Sequence, residues 1–338
     1  MPKLVCKKCV LNSDIPGIEI NEESGLCHFC ETYVPMSSQE KEQYLNRIEE
    51  LFKEYSGKGN YDVIFALSGG KDSSYTLYKL KKDYPFLKIL AVQFDNGFTS
   101  DYAVVNAKKM CEIAGCDYFK LTMETEVLYE LFRKAAESYD AFPKFAKYRA
   151  SDICNICISV IKQKLLEQAI VQNAPFVIFA FTAGQSPKPI INLSANFIQW
   201  SRNLFEKQLQ KIGVDDKDEK FLIKNDVIKN MGEIAPSMLH PLCLWEYSED
   251  KVLETIIGLG WKAPDLNDSN STNCTLNSFA CYNHLEKYGF HPYAFDIAGL
   301  VRSGEMPREE GLEKLNQELS QPLIGEAAEK LNLNIKNS

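Results

Sequence analysis

The chain has 338 residues, 45% of them hydrophobic and 25% charged, with a net charge of −8. That length leaves room for one large domain or two with ample core, and the composition excludes a disordered, collagen-like or low-complexity chain. The acidic balance argues against non-specific polyanion binding over the whole surface while leaving a local basic patch open; no apolar run approaches a membrane span and Met1-Pro2-Lys3-Leu4-Val5-Cys6 has no secretion pattern, so a cytoplasmic protein with no membrane partner is expected.

Eleven cysteines in a reducing compartment, grouped as Cys-x-x-Cys pairs, point to metal rather than to a disulfide framework. The first two pairs, Cys6-Lys7-Lys8-Cys9 and Cys27-His28-Phe29-Cys30, flank the turn residues Pro16-Gly17 and Ser24-Gly25. Cys6, Cys9, Cys27 and Cys30 supply four thiolates for a tetrahedral zinc, in a segment too short to bury a core without one. Residues 1–36 therefore read as a structural zinc ribbon. Four thiolates leave no open position for catalysis, and His28, inside a knuckle, reads as a bystander. Residues 37–57 follow as a linker helix, Ser37 to Tyr55, with Tyr44, Ile48, Leu51 and Phe52 at helical spacing.

From Tyr61 the pattern alternates: strand Asp62–Leu67, helix Ser74–Lys82, strand Ile89–Phe94, helix Tyr102–Ala114, strand Tyr118–Thr122 and helix Val127–Ser138. A helix Ser159–Val171 follows the pair Cys154-Asn155-Ile156-Cys157, and a strand Phe176–Phe181 follows that helix. Such alternation predicts an α/β fold, a doubly wound parallel sheet with ligands at the carboxyl ends of its strands. Between the first strand and its helix lies Ser68-Gly69-Gly70-Lys71-Asp72-Ser73. A glycine turn that opens a helix builds an anion site from backbone N–H groups and the helix dipole, and here two hydroxyls and an ammonium join it. The spacing fits neither the Walker nor the dinucleotide pattern.

Residues 58–245 form this main domain, with a helical insertion at 191–230. Residues 246–338 read as a helical C-terminal region, with helices Glu249–Gly258, Ala280–Tyr288, Tyr293–Ser303, Arg308–Leu319 and Gly325–Leu331. Cys111 and Cys116 read as small buried hydrophobes. Lys147 and Arg149, near the internal cysteine pair, either position a phosphorylated or acidic substrate or are solvated surface charges.

The stretch Ser68–Ser73 resembles Ser-Gly-Gly-x-Asp-Ser, the pyrophosphate loop of the PP-loop ATP pyrophosphatases, whose fold is adenine nucleotide alpha hydrolase-like. The resemblance implies cleavage of ATP between its alpha and beta phosphates, adenylation of a carbonyl or carboxyl oxygen, and displacement of AMP by nitrogen or sulfur. It implies ATP binding by Ser68, Gly69, Gly70, Lys71, Asp72 and Ser73, by Phe94, Asp95 and Asn96 at the end of the second strand, and by Thr182 and Gly184 after a later one. The turn at Thr182 lacks the acidic residues that usually follow it in the family, so the resemblance leaves magnesium to Asp72. His240-Pro241-Leu242, followed by Glu246 and Glu249, resembles a segment of the tRNA two-thiolation enzymes, where a cysteine pair and a third cysteine hold a [4Fe-4S] cluster. That resemblance gives the cluster to Cys154, Cys157 and Cys274, the last in Asn270–Cys274, with Cys154 and Cys157 catalytic beside Lys71 and Asp72. Cys243 and Cys281 are alternative ligands; a zinc completed by Cys281 or His284, or a redox pair, also fits these residues.

The ribbon and the ending Arg302–Glu310 are similar instead to the N-acetyl sugar amidotransferases, which activate a carboxyl group with ATP and take ammonia from a separate glutaminase. Ammonia needs no thiolate cage, so the internal cysteines favour sulfur. The expected protein is a magnesium-dependent, adenylating sulfurtransferase that uses ATP and a sulfur donor, acting on a tRNA base, a small metabolite or a nucleotide-linked sugar. A non-catalytic, nucleotide-sensing zinc-ribbon adaptor has no need of a loop that grips pyrophosphate.

Overall fold

The computed structural model describes residues 4–139, 141–186, 188–217, 219–232, 235–264 and 271–335. Asn270, which opens the Asn270–Cys274 segment, and the last three residues of the tail lie outside the described residues.

A short helix α1 (His28–Glu31) closes the N-terminal segment, and α2 (Ser38–Tyr55) starts on a capping box in which the Ser37 hydroxyl and the Glu40 carboxylate each bond the other's backbone N–H. Strands and helices then alternate through β1 (Val63–Ala66), α3 (Lys71–Asp83), β2 (Ile89–Asp95), α4 (Asp101–Ala114), β3 (Asp117–Thr122), α5 (Thr125–Glu137), a turn of helix α6 (Lys144–Lys147), α7 (Asp152–Val171) and β4 (Phe176–Ile178). The insertion supplies β5 (Ile190–Ile191), α8 (Ala195–Lys211) and α9 (Asn225–Lys229), and β6 (Ser237–Leu239) returns to the sheet. Helices α10 (Glu249–Gly258), α11 (Asn277–Tyr288), α12 (Ala294–Ser303), α13 (Arg308–Asn316) and α14 (Gln321–Lys330) complete the chain.

The sheet runs β3-β2-β1-β4-β6-β5, parallel except for the edge strand β5. The expected sheet is thus corrected at one edge, where strands of two and three residues are too short for periodicity to reveal. Alternate residues of each inner strand face opposite ways. Val63, Phe65, Ile89 and Phe176 pack with Phe52 of α2, Leu77 of α3, Met110 of α4 and Val252 of α10. Ile64, Leu90, Val92 and Val177 pack with Leu166 and Ala169 of α7, Ile198 of α8 and Ile228 of α9. Helices on both faces make the sheet doubly wound, and chain order reverses between β1 and β4. The crevice at their carboxyl ends is where this class of sheet binds ligands.

Two helix starts differ from the sequence expectation. Helix α3 begins at Lys71 rather than Ser74, so Lys71, Asp72 and Ser73 form its first turn. Helix α7 begins at Asp152 rather than Ser159, because the Ser151 hydroxyl accepts from Cys154 N–H as an N-cap. The second cysteine pair therefore lies inside a helix instead of preceding one. The C-terminal helices fold back in two directions: α11 and α14 share an apolar cluster with α5, α7 and α8, while α12 packs on the N-terminal segment. No helix among the described residues is long and apolar enough to cross a membrane.

Two histidines are sealed in this core. His240, after β6, is 3% exposed, and His284 of α11, set between the Tyr288 and Phe290 rings, is 1% exposed. Burial lowers His240 to about 4 and His284 to about 3, against about 6.5 in an unfolded chain. The unfolded chain thus binds more protons in that window, so the stability is present above about pH 6.5 and is lost as pH falls toward 4. Each histidine should cost about 2 kcal/mol between pH 7 and 4.5. Urea midpoints at the two pH values should differ less in His284→Phe than in the wild type; an unchanged difference would contradict the assignment.

Candidate functional site

The turn after β1 is fixed by its own neighbours. Gly69 has φ +79°, and a Cβ there would lie 2.0 Å from the Ala103 carbonyl oxygen, so only glycine fits. Its carbonyl accepts from Trp261 Nε1 at 3.0 Å, and the Ser68 carbonyl accepts from Gln93 Nε2 at 3.2 Å. Ser68 and Ser73 hydroxyls meet at 3.0 Å. Gly70 is the N-cap of α3 without a side-chain cap, which leaves the helix N-terminus facing the crevice. A thirteen-residue helix that starts this way can offer backbone N–H groups and its dipole to an anion.

Lys71 and Asp72 are bound into a network. Lys71 Nζ lies 3.0 Å from both Asp72 carboxylate oxygens, 2.8 Å from Tyr247 Oη and 3.5 Å from Glu249. Tyr247 Oη donates to Asp72 at 2.9 Å. Burial works against the Lys71 charge, but Asp72, Tyr247 and Glu249 outweigh it and raise the pKa above the usual lysine value. Lys71 is therefore a firm cation with exchangeable partners, the property needed to meet an incoming phosphate.

Segment 271–275 closes over this loop. Thr272 Oγ1 accepts from Lys71 N–H at 3.3 Å, and the Asn273 side chain reaches the site where a Gly70 Cβ would stand. The same segment bridges to the turn after β2 through Ser100 N–H to Asn273 O, Thr275 N–H to Phe98 O, and a Thr99–Cys274 bridge. This pairing carries Cys274 to the first turns of α7. Asn96 Nδ2 faces both Cys157 Sγ at 3.7 Å and Cys274 Sγ at 3.5 Å, and burial, followed by the Cys274 and Cys154 thiols, raises Cys157. The three cysteines from distant parts of the chain thus stand together at the mouth of the phosphate loop. Their spacing differs from the ribbon's: among the described residues only Cys6, Cys9, Cys27 and Cys30 place all ligand atoms within 4.8 Å of one another. Cys243 lies elsewhere, donating to the His240 carbonyl at 3.0 Å within the opposite cluster, and Cys281 Sγ faces Asn277 Nδ2 at 3.8 Å. Cys111 and Cys116 pack in the core between the sheet and α3 and α4.

The remaining residues named for ATP line the same edge. Burial opposes the Asp95 charge, but Lys120 at 2.7 Å and Gly97 N–H at 3.0 Å hold its carboxyl below the usual range. Phe94 packs beside the cysteines. The Thr182 carbonyl accepts from Gln185 and Ser186 N–H groups at 3.0 and 2.9 Å, which shapes the turn after β4. A Cβ on Gly184 would lie 2.3 Å from the Asp296 carbonyl, so this glycine is required for contact with α12. Sequence reasoning missed Tyr247, Trp261, Gln93, Thr272 and Asn273; only the polar run Ser271-Thr272-Asn273 before Cys274 carried a local signal.

The ribbon forms a separate metal-binding centre. Its four cysteines are buried, Cys9 and Cys27 sulfurs lie 3.7 Å apart, and Cys27 N–H donates to Cys6 Sγ at 3.2 Å. The Cys9 hydrogen bond lowers the Cys27 thiol while burial raises Cys30. One tetrahedral cation fits four sulfurs at this spacing. His28 stacks on Phe29 at 4.1 Å and is not in the group. Arg308 of α13 donates to the Cys6 and Cys9 carbonyls at 3.0 and 3.1 Å, and Ile297 and Ala298 of α12 share the ribbon's apolar cluster. Cys27→Ser should therefore release one metal ion per chain and speed amide exchange in α12 and α13, since such a site contributes roughly 10 kcal/mol of folding free energy. Slow exchange in β1 and β2 should persist. Unchanged metal content would remove the site.

No family model matches the chain. An uncharacterized protein of Methanocaldococcus jannaschii, MJ1599, is 25% identical over 322 residues, covering 94% of each chain. Among solved structures, the chain is similar to the U34-tRNA thiolase NcsA from Methanococcus maripaludis with its [4Fe-4S] cluster, at 20% identity and a TM-score of 0.35, covering 95% of this chain and 94% of the thiolase. An NMN synthetase from Francisella tularensis is 14% identical at a TM-score of 0.38, over 89% of this chain and 99% of the synthetase. An NH3-dependent NAD synthetase from Campylobacter jejuni is 16% identical at a TM-score of 0.30, over 69% of this chain and all of the synthetase, 100%.

Proposed function

We propose that this chain is a PP-loop, ATP-dependent sulfurtransferase that adenylates an acceptor oxygen and replaces it with sulfur. The observation that carries the reading is the convergence of Cys154, Cys157 and Cys274 beside the Ser68–Ser73 loop, with Asn96 between the sulfurs. Phosphates of ATP bind the N-terminus of α3, where Lys71 exchanges part of its Asp72 contact for a phosphate oxygen. Asp72 holds magnesium. The acceptor oxygen attacks the alpha phosphorus, the bond to the beta-phosphate oxygen breaks and pyrophosphate leaves; a sulfur nucleophile then attacks the activated carbon, and AMP leaves with the original oxygen. A [4Fe-4S] cluster on the three thiolates would supply a metal-bound sulfide. Cys154, Cys157 and Cys274 would hold it, while Asn96 donates to the Cys157 and Cys274 sulfurs and Thr272 and Asn273 cover the loop mouth. Zinc occupies the ribbon.

Product analysis tests the nucleotide half of this reading: incubation with ATP, magnesium, sulfide and a set of carbonyl acceptors should release AMP and pyrophosphate. ADP and phosphate would contradict it. The amidation reading has one observation in its favour, that the ribbon and Arg308, the two segments carrying its resemblance, pack as one body. Incorporation of ammonia by a protein without iron would establish it.

A further inference from the structure

The turn at 182–186 carries a second set of polar groups that neither the phosphate loop nor the sulfurs use. Phe181 stacks on Phe179 at 5.3 Å and lies 5.3 Å from the His240 ring. Lys162 Nζ stands 5.7 Å from the Phe181 centroid, and among the described residues no carboxylate or hydrogen-bond acceptor meets it. Arg149 donates to the Gln185 carbonyl, and His240 Nδ1 is held between Ser186 Oγ at 3.0 Å and the Lys188 carbonyl at 2.8 Å. His240 Nε2 is buried without a partner. Arg149 precedes α7, and Lys162 lies on it five residues after Cys157, so the helix that presents Cys154 and Cys157 also carries Lys162.

The charges around this turn do not cancel. Burial, then Arg149, lowers Lys162 to about 8, so it remains mostly charged at neutral pH. Asp296, which interacts with Arg149, is raised by burial to about 8 and is therefore a weak counter-ion at neutral pH. Lys162 is part-buried, and an ammonium in such a cleft without a counter-ion gains from a ligand anion. The position follows the carboxyl end of β4, the strand paired with β1, whose own carboxyl end leads into the Ser68–Ser73 loop.

We infer that Arg149 and Lys162 form an anion subsite over the Phe181 ring that holds a carboxylate or phosphate group of a small-molecule acceptor. The inference rests on the adenylating reading and specifies its substrate class: an acceptor that carries an oxyanion besides the oxygen to be activated. Lys162 supplies a part-buried charge and Arg149 the planar donor pair that suits either oxyanion.

The test separates the subsite from the nucleotide site. The phosphate loop is first saturated with α,β-methylene-ATP and magnesium, and inorganic phosphate or acetate is then titrated calorimetrically. Wild-type protein should bind one of the two anions, phosphate identifying a phosphorylated acceptor and acetate a carboxylic one. Arg149→Gln and Lys162→Met should each weaken that binding roughly tenfold or more, with α,β-methylene-ATP affinity unchanged. Arg149 is exposed, so its variant reads the subsite even if Lys162→Met fails to fold. Absence of binding by both anions, or wild-type affinity in Arg149→Gln, would overturn the inference. Anion binding that is intact in a protein that does not take α,β-methylene-ATP would instead strike the nucleotide reading and leave the subsite standing.

Discussion

Asp72→Asn is expected to abolish release of AMP and pyrophosphate while leaving the fold intact. The side chain sits on the first turn of α3, 29% exposed, and its bonds are to Lys71 Nζ and Tyr247 Oη. Asparagine keeps the shape and one acceptor for Tyr247 but loses the charge that holds magnesium and balances Lys71. Charge stabilisation of this kind is worth roughly 10²- to 10³-fold in turnover, so activity should fall by at least that much. Thermal unfolding should be little changed, because no apolar contact is lost. Pyrophosphate release measured beside a melting curve decides: near-normal turnover in the variant would remove Asp72 from the chemistry, and a collapsed melting curve would make it a structural residue.

Single alanine variants at Cys154, Cys157 and Cys274 are expected to lose both iron and sulfur transfer while still binding ATP. Each sulfur comes from a different backbone position, two from successive turns of α7 and one from the segment bridged to the end of β2. The phosphate loop, in contrast, is fixed by Trp261, Gln93 and its own serines, and segment 271–275 meets it through the Thr272 and Asn273 side chains rather than through the Cys274 sulfur. Removing one thiolate therefore opens the cluster without disturbing the nucleotide site. Cys111→Ala, in the core between the sheet and α4, should keep its iron and its activity. Equal loss in all four variants would mean that the thiols matter for packing alone.

The parts of the site that read clearly in the sequence are the local ones. Ser68–Ser73 announces itself because the turn, the glycines and the helix start are contiguous, and the ribbon does so because thiolate spacing around a single cation is fixed. Helix α7 started earlier than expected because Ser151 and Asp152 form a cap that apolar periodicity does not report. Tyr247, Trp261 and Thr272 lie 175 or more residues from the loop they bind, and no local pattern marks such a contact. The cysteine trio stood between these cases: resemblance suggested the residues, while the backbone pairing of Phe98–Ser100 with Asn273–Thr275 that brings Cys274 to α7 has no signature in the chain itself. Asn96 shows the same limit. Its place at a strand end suggested ATP binding, while nothing local in the sequence announced that its amide lies between two sulfurs.

Metal and sulfide analysis of the anaerobically prepared protein tests the central claim most directly. The account predicts one zinc per chain, iron and acid-labile sulfide in equal amounts, and a brown colour that air bleaches and that disappears in Cys274→Ala while the zinc remains. A colourless protein after iron and sulfide reconstitution, with zinc in both cysteine centres or in the ribbon alone, would contradict sulfur transfer through the trio.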